Sequence, residues 1–219
     1  MDTPTQRAAA LPAAALSDAL DALGLPGSVL GVAPLSPTAR LTGPAFTVRY
    51  EPADAGKGSV GDFLDDVPAG AVVVIDNAGR TDCTVWGGIM TQTAAVRGVA
   101  GTVIHGACRD VATSVEADYP LFSSGRFMRT GKDRVRLAAV GARLSLGGVP
   151  VAPDDLGRGD VPATGARSAA RCGSPPISSS WPRSGVRRTP ARWWRRSYGT
   201  RCRHSEEERR SMHPGNGFA

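Results

Sequence analysis

"GGIMTQTAAVRGVAGTVIHGACRD", residues 87–110, is the stretch on which the reading of the chain turns. A glycine pair opens a run in which Ile89, Met90, Ala94 and Val96 set out an apolar helix face. Gly98 and Gly101 punctuate its end. "TVIHG" (102–106) then has the β-branched character of a strand buried on both faces. Arg109-Asp110 closes the unit, where the chain leaves that strand. Glycines at a helix start admit a ligand close to the backbone, and the free N–H groups there bind anions. The amides of Gly87, Gly88, Ile89 and Met90 are therefore candidates to hold a carboxylate or phosphate. In α/β folds ligands gather at the carboxyl ends of strands, where Arg109 can fork onto a keto acid and Asp110 can take a hard cation. A tight turn before a helix, and a helix start with Asp110 placed for the dipole, are the plainer alternatives.

Outward from this unit the same alternation continues. "AVVVIDN" (71–77) reads as another buried strand, and "AFTVRYE" (45–51) as an alternating one. "ALSDALDALG" (15–24) spaces Leu16, Leu20 and Leu23 as a helix ending at Gly24. Residues 1–10 read as a loose end, and 26–45, rich in Pro and Gly, as a winding connection. A short helix is expected over 59–70, another over 109–118, a strand start at "YPLFSSG", and two more strands within 134–153. Alternating strands and helices across residues 10–157 give an α/β layered domain.

Past residue 157 the character changes. Residues 161–219 hold 12 Arg and three Glu, a local charge of +9, so the preceding residues carry −3 of the chain's +6. They contain only Val161, Ile177, Val186 and Met212 from the aliphatic set, yet three of the four tryptophans. Such a composition buries too little apolar surface to offset the entropy of ordering it. The segment 158–219 is expected to be a disordered basic tail. One reading makes it an out-of-frame stretch; another makes it a nucleic-acid arm, with phosphate contacts and stacking from "RRTPARWWRRSYGTRCRH". Nucleic acid is otherwise not an expected partner.

Cys83, Cys108, Cys172 and Cys202 form no CxxC pair, which argues against a zinc site and leaves four free thiols. No run approaches the ~20 apolar residues of a membrane span, and a cytoplasmic protein is expected. Cys108 beside Arg109 could be an activated thiol, although ordinary packing is the expectation. His105 reads as a satisfied strand-end histidine in preference to a base.

Gly88, twenty intervening residues, then Arg109-Asp110 resembles the Gly-x20-Arg-Asp motif of the RraA-like family. "SDALDALG", "GVAPLSP", "GPAFTVRY", "VVVIDNAG" and "GVAGTVIHGACRD" extend the resemblance, in order, over about residues 15 to 156. That family includes class II 4-hydroxy-4-methyl-2-oxoglutarate / 4-carboxy-4-hydroxy-2-oxoadipate aldolases and a regulator of ribonuclease activity. The resemblance implies a swivelling β/β/α fold, trimers or trimer pairs, and a lyase that releases pyruvate, with oxaloacetate decarboxylation as a side activity. It implies amides of Gly87, Gly88, Ile89 and Met90 on the pyruvate carboxylate, Arg109 on the keto-acid end, and Asp110 on Mg²⁺ or Mn²⁺. The aldolase pattern continues with an acid at the position of Thr113; Glu116 could partly substitute, although a solvated surface glutamate is the expectation, and Asp82 is a candidate to support metal-bound water. The alternative is a non-catalytic regulator that binds and inhibits a ribonuclease. The intact Arg-Asp pair favours the enzyme.

Overall fold

The computed structural model describes residues 2–53 and 58–161. In chain order the elements are α1 (Pro4–Ala9), α2 (Ala13–Ala22), β1 (Ala33–Pro34), β2 (Leu41–Pro52), a 3₁₀ turn (Leu64–Asp66), β3 (Val72–Asp76), α3 (Gly88–Val96), β4 (Gly101–Cys108), α4 (Val111–Glu116), β5 (Leu121–Arg126), β6 (Val135–Val140), β7 (Leu144–Leu146), β8 (Val149–Val151) and β9 (Leu156–Gly159). The main sheet runs β1-β5-β4-β3-β2-β6, with β9 also on β2. β2 through β5 are parallel neighbours, and β1, β6 and β9 join antiparallel. The twelve residues of β2 serve three partners: Leu41–Pro44 pair with β9, Ala45–Arg49 with β3, and Val48–Pro52 with β6.

The period-2 rule of strands divides the apolar residues between two cores. Val73, Ile75, Ile104 and Leu121 face one way, onto Trp86, Met90 and Ala94 of the α3 side. Val72, Val74, Val103 and Phe122 face the other way, onto Leu144, Leu146 and Val149 of the separate β7–β8 hairpin. Central strands buried on both faces have no polar alternation, which is why 71–77 and 102–106 read as continuous apolar runs. The layers are hairpin, sheet and helices, a β/β/α arrangement of mixed α/β class.

Four local expectations change. Residues 1–10 carry α1, started by a capping box in which Thr3 accepts from the Gln6 amide while Gln6 reaches back to the Thr3 N–H. The helix expected over 59–70 shrinks to the 3₁₀ turn, since Gly61 takes φ +94° and Pro68 closes the segment. The two strands expected within 134–153 are three. β9 forms at "LGRG", where pairing with β2 supplies what the residues' own preferences lack.

β9 also brings a buried ion pair. Arg158 and Asp160 are 3% and 5% exposed, with Arg158 Nη2 3.4 Å from Asp160 Oδ2. Arg158 donates to the carbonyls of Leu11, Leu41 and Gly159, and Asp160 Oδ2 accepts the Ala13 amide at 2.9 Å. The pair fastens α2 to β9 and β2. The basic tail expected over 158–219 lies outside the described residues from position 162 onward. Among the described residues no helix is long and apolar enough to cross a membrane.

Candidate functional site

The two ends of the 87–110 stretch meet. From Thr84 the chain runs alongside the end of β4: Thr84 bridges Ala107, Val85 N–H donates to Ala107 O at 3.2 Å, and Arg109 N–H to Trp86 O at 3.0 Å. This ribbon delivers Gly87 as the N-cap of α3 directly over Arg109 and Asp110. The glycines are needed there for space. A Cβ on Gly87 would come within 3.0 Å of Asp110 Oδ2 and 3.1 Å of Arg109 Nε. A Cβ on Gly88 would lie 3.3 Å from Asp110 Cβ and from the Thr113 side chain.

Asp110 begins α4 by position but does not cap it with its side chain. Its Oδ2 accepts the Gly88 amide at 2.9 Å, at the positive end of the neighbouring helix α3. Arg109 Nε stands 3.7 Å from the same oxygen. The two side chains are 40% and 49% exposed, open enough to meet a ligand. The first-turn amides of a helix have no acceptor within it, and α3 starts its own bonding only at Thr91 N–H to Gly87 O, 3.0 Å. The amides of Ile89 and Met90 therefore stay outside the α3 ladder, next to the Gly88–Asp110 bond.

Below this surface a hydrogen-bond chain fixes α3 against α4. Trp86 Nε1 donates to Thr91 Oγ1 at 3.0 Å, and Thr91 Oγ1 meets Ser114 Oγ at 3.0 Å, all three residues buried. No property of these residues taken singly gave them a role in the sequence; only the helix pairing joins them.

The remaining candidates sit as follows. Both oxygens of Asp82 are held by Arg80 at 2.9 Å, and that bond keeps its carboxyl below the usual carboxylate range. Glu116 ends α4, exposed, six residues from Asp110; at 3.6 residues per turn the two lie on different faces. His105 Nδ1 is 3.0 Å from Asp76 Oδ1, its ring packed on Gly79, as a satisfied strand-end histidine. The Cys108 thiol is buried against Ser123 Oγ at 3.3 Å, and burial pushes it up, which leaves it a packing residue.

The family resemblance implies a divalent cation. Among the described residues no group of three or more His, Cys, Asp or Glu side chains could hold one. The donor available is the single carboxylate of Asp110. One carboxylate, with water and substrate oxygens making up the rest, fits a hard cation such as Mg²⁺ or Mn²⁺ and does not fit zinc.

A guanidinium, a carboxylate and helix-start amides stand together past the carboxyl ends of parallel strands in an α/β domain. The comparisons with known proteins agree with this fold. The RraA-like family (Aldolase/RraA) matches residues 13–162, and the chain belongs to it. It is 44% identical over 147 residues to protein DlpA of Legionella pneumophila, a match covering 65% of this chain and 24% of that protein. The chain thus spans about a quarter of that relative's length. It is 34% identical over 153 residues to the "Putative 4-hydroxy-4-methyl-2-oxoglutarate aldolase" of Halalkalibacterium halodurans, covering 69% of this chain and 70% of that one. Among solved structures, an uncharacterized protein from Pseudomonas syringae aligns with TM-score 0.68 and 42% identity, over 78% of this chain and 82% of that one.

Proposed function

We propose that this chain is a divalent-metal-dependent lyase that cleaves 4-hydroxy-4-methyl-2-oxoglutarate-type hydroxy-keto acids to pyruvate, working as a trimer or hexamer. The observation that carries the reading is the approach of Arg109 Nε and the Gly88 amide to one carboxylate oxygen of Asp110, 3.7 and 2.9 Å away. Cation, anion and amide donor thereby meet at one carboxylate oxygen.

In the reaction the C3–C4 bond breaks, the C4 hydroxyl proton leaves, and that oxygen becomes the carbonyl of the second product. The electron pair passes to the pyruvate fragment as an enolate, which is protonated at C3. Arg109 puts positive charge where the enolate oxygen develops, and amides at the start of α3 orient the carboxylate. A cation held by Asp110 would supply Lewis-acid polarisation of the keto oxygen. Oxaloacetate decarboxylation uses the same enolate and is the expected side activity.

The second reading is a binding protein without chemistry, such as a ribonuclease regulator. What favours it is Thr113, standing where the aldolase pattern has an acid, together with a single-carboxylate donor set. Pyruvate release separates the two. The purified protein with Mg²⁺ or Mn²⁺ is given the hydroxy-keto acid, beside Asp110→Asn. Release that needs the metal and falls at least about a hundredfold in the variant supports the lyase. No release from folded protein refutes it and leaves the binding reading.

A further inference from the structure

One cation beside the site has no role in the reading so far. Arg126 is the last residue of β5 and stands in register with Cys108 of β4, the residue before Arg109. It is exposed, and among the described residues it makes no ion pair and no side-chain hydrogen bond. Its backbone position is fixed. The next residue, Phe127, donates its N–H to Cys108 O at 3.0 Å, and Thr84, at the root of the Gly87 ribbon, donates to Arg129 O at 3.0 Å. Arg126, at the end of β5, and Arg109-Asp110, just past the end of β4, therefore leave the same edge of the sheet.

Arg109 already has Asp110 beside it, whereas Arg126 brings an uncompensated positive charge to the same edge of the sheet. An unpaired guanidinium that can fork onto a planar anion is suited to a carboxylate. We propose that Arg126 is the specificity residue of the site, receiving a second carboxylate, distal to the keto-acid end held by Arg109, so that the site selects dicarboxylate over monocarboxylate hydroxy-keto acids. This rests on the lyase reading above and deepens it.

The test compares two substrates that differ only there: 4-hydroxy-4-methyl-2-oxoglutarate, and the analogue in which the distal carboxylate is a methyl group. Pyruvate release by the full-length protein with Mg²⁺ gives kcat/KM for each. Arg126→Gln lowers the dicarboxylate-to-monocarboxylate ratio at least about tenfold, mainly through KM, and Arg126→Lys restores part of it. Arg97→Gln, which removes a cation paired with Asp65 at the end of α3, leaves the ratio unchanged and controls for net charge. A ratio that Arg126→Gln does not move, with wild type active, overturns the inference and leaves the lyase standing. A drop equal to that of Arg97→Gln likewise overturns it, as a general charge effect. No release by folded wild type overturns the lyase reading and the inference together.

Discussion

Asp160→Ala probes how β9 is secured. Asp160 is 5% exposed, and its Oδ2 takes the Ala13 amide at 2.9 Å and faces Arg158 Nη2 at 3.4 Å. Truncation leaves two buried groups without a partner, the Ala13 N–H and the Arg158 charge. Burial already depresses the Arg158 pKa, and Asp160 is the largest influence opposing that. Breaking a buried pair from one side costs about 3–5 kcal/mol. Arg158 keeps its carbonyl acceptors on Leu11, Leu41 and Gly159, which puts the expectation at the lower end, about 3 kcal/mol. With a urea m-value of about 2 kcal/mol/M, the unfolding midpoint followed by far-UV circular dichroism falls by about 1.5 M at fixed protein concentration. Arg158→Met combined with Asp160→Asn loses less than Asp160→Ala alone, because no charge is orphaned and the Ala13 amide keeps an acceptor. A midpoint drop below about 0.3 M, the scale of an ordinary surface change, would refute the argument. It would mean that water reaches the pair and screens it.

Gly87→Ala places a methyl 3.0 Å from Asp110 Oδ2 and 3.1 Å from Arg109 Nε, and the backbone there is extended, so the effect is steric and local. Pyruvate release falls at least about tenfold while the melting temperature moves by under about 4 °C, a shift worth roughly 1 kcal/mol; equal activity would show that the Arg109–Asp110 geometry is not used. Thr91→Val removes the acceptor of the Trp86 indole and the partner of Ser114, costing about 1–3 kcal/mol in urea unfolding. A neutral Thr91→Val would place water in that chain. Asp82, with its folded pKa depressed by Arg80, contributes stability above the unfolded carboxylate pKa and loses it as pH falls through the lower folded value. The pair is exposed, so NMR titration reads the shift and melting does not; Arg80→Gln returns the Asp82 midpoint to the ordinary range. A titration unaltered by Arg80→Gln would remove Arg80 as the cause.

The central αβ unit is legible in the sequence because its signals are local. Val72 to Ile75 must be buried on both faces to be tolerated, and Gly98, left-handed just past the Arg97 C-cap, closes α3. The meeting of Gly87-Gly88 with Arg109-Asp110 follows from strand order, since both lie past the carboxyl ends of neighbouring parallel strands. α1 is marked locally by Thr3 with Gln6 three residues on and Pro4 at the first turn, signals that a loose end does not carry. β9 left none. "LGRG" has no strand preference and acquires its form from β2, over a hundred positions earlier in the chain. The Arg158–Asp160 pair is hidden for the same reason, because its acceptors and donors belong to α2, β2 and the segment between α1 and α2. At the site, the apportioning of carboxylates was beyond the sequence. Nothing in the spacing of Asp82 said that Arg80 would claim both of its oxygens.

Asp110 enters α4 with φ +55° and ψ 44°, a left-handed conformation that Asn and Gly also adopt readily and that β-branched residues resist. The substitutions easiest on the backbone are thus those that delete the carboxylate and leave the chain path untouched. A single change to Asn or Gly would remove the proposed cation ligand while the fold, the guanidinium of Arg109 and the helix-start amides remained. Chemistry and architecture are separable at this position. If the proposed lyase reading holds, a catalyst and a pure binder stand one base change apart at this position.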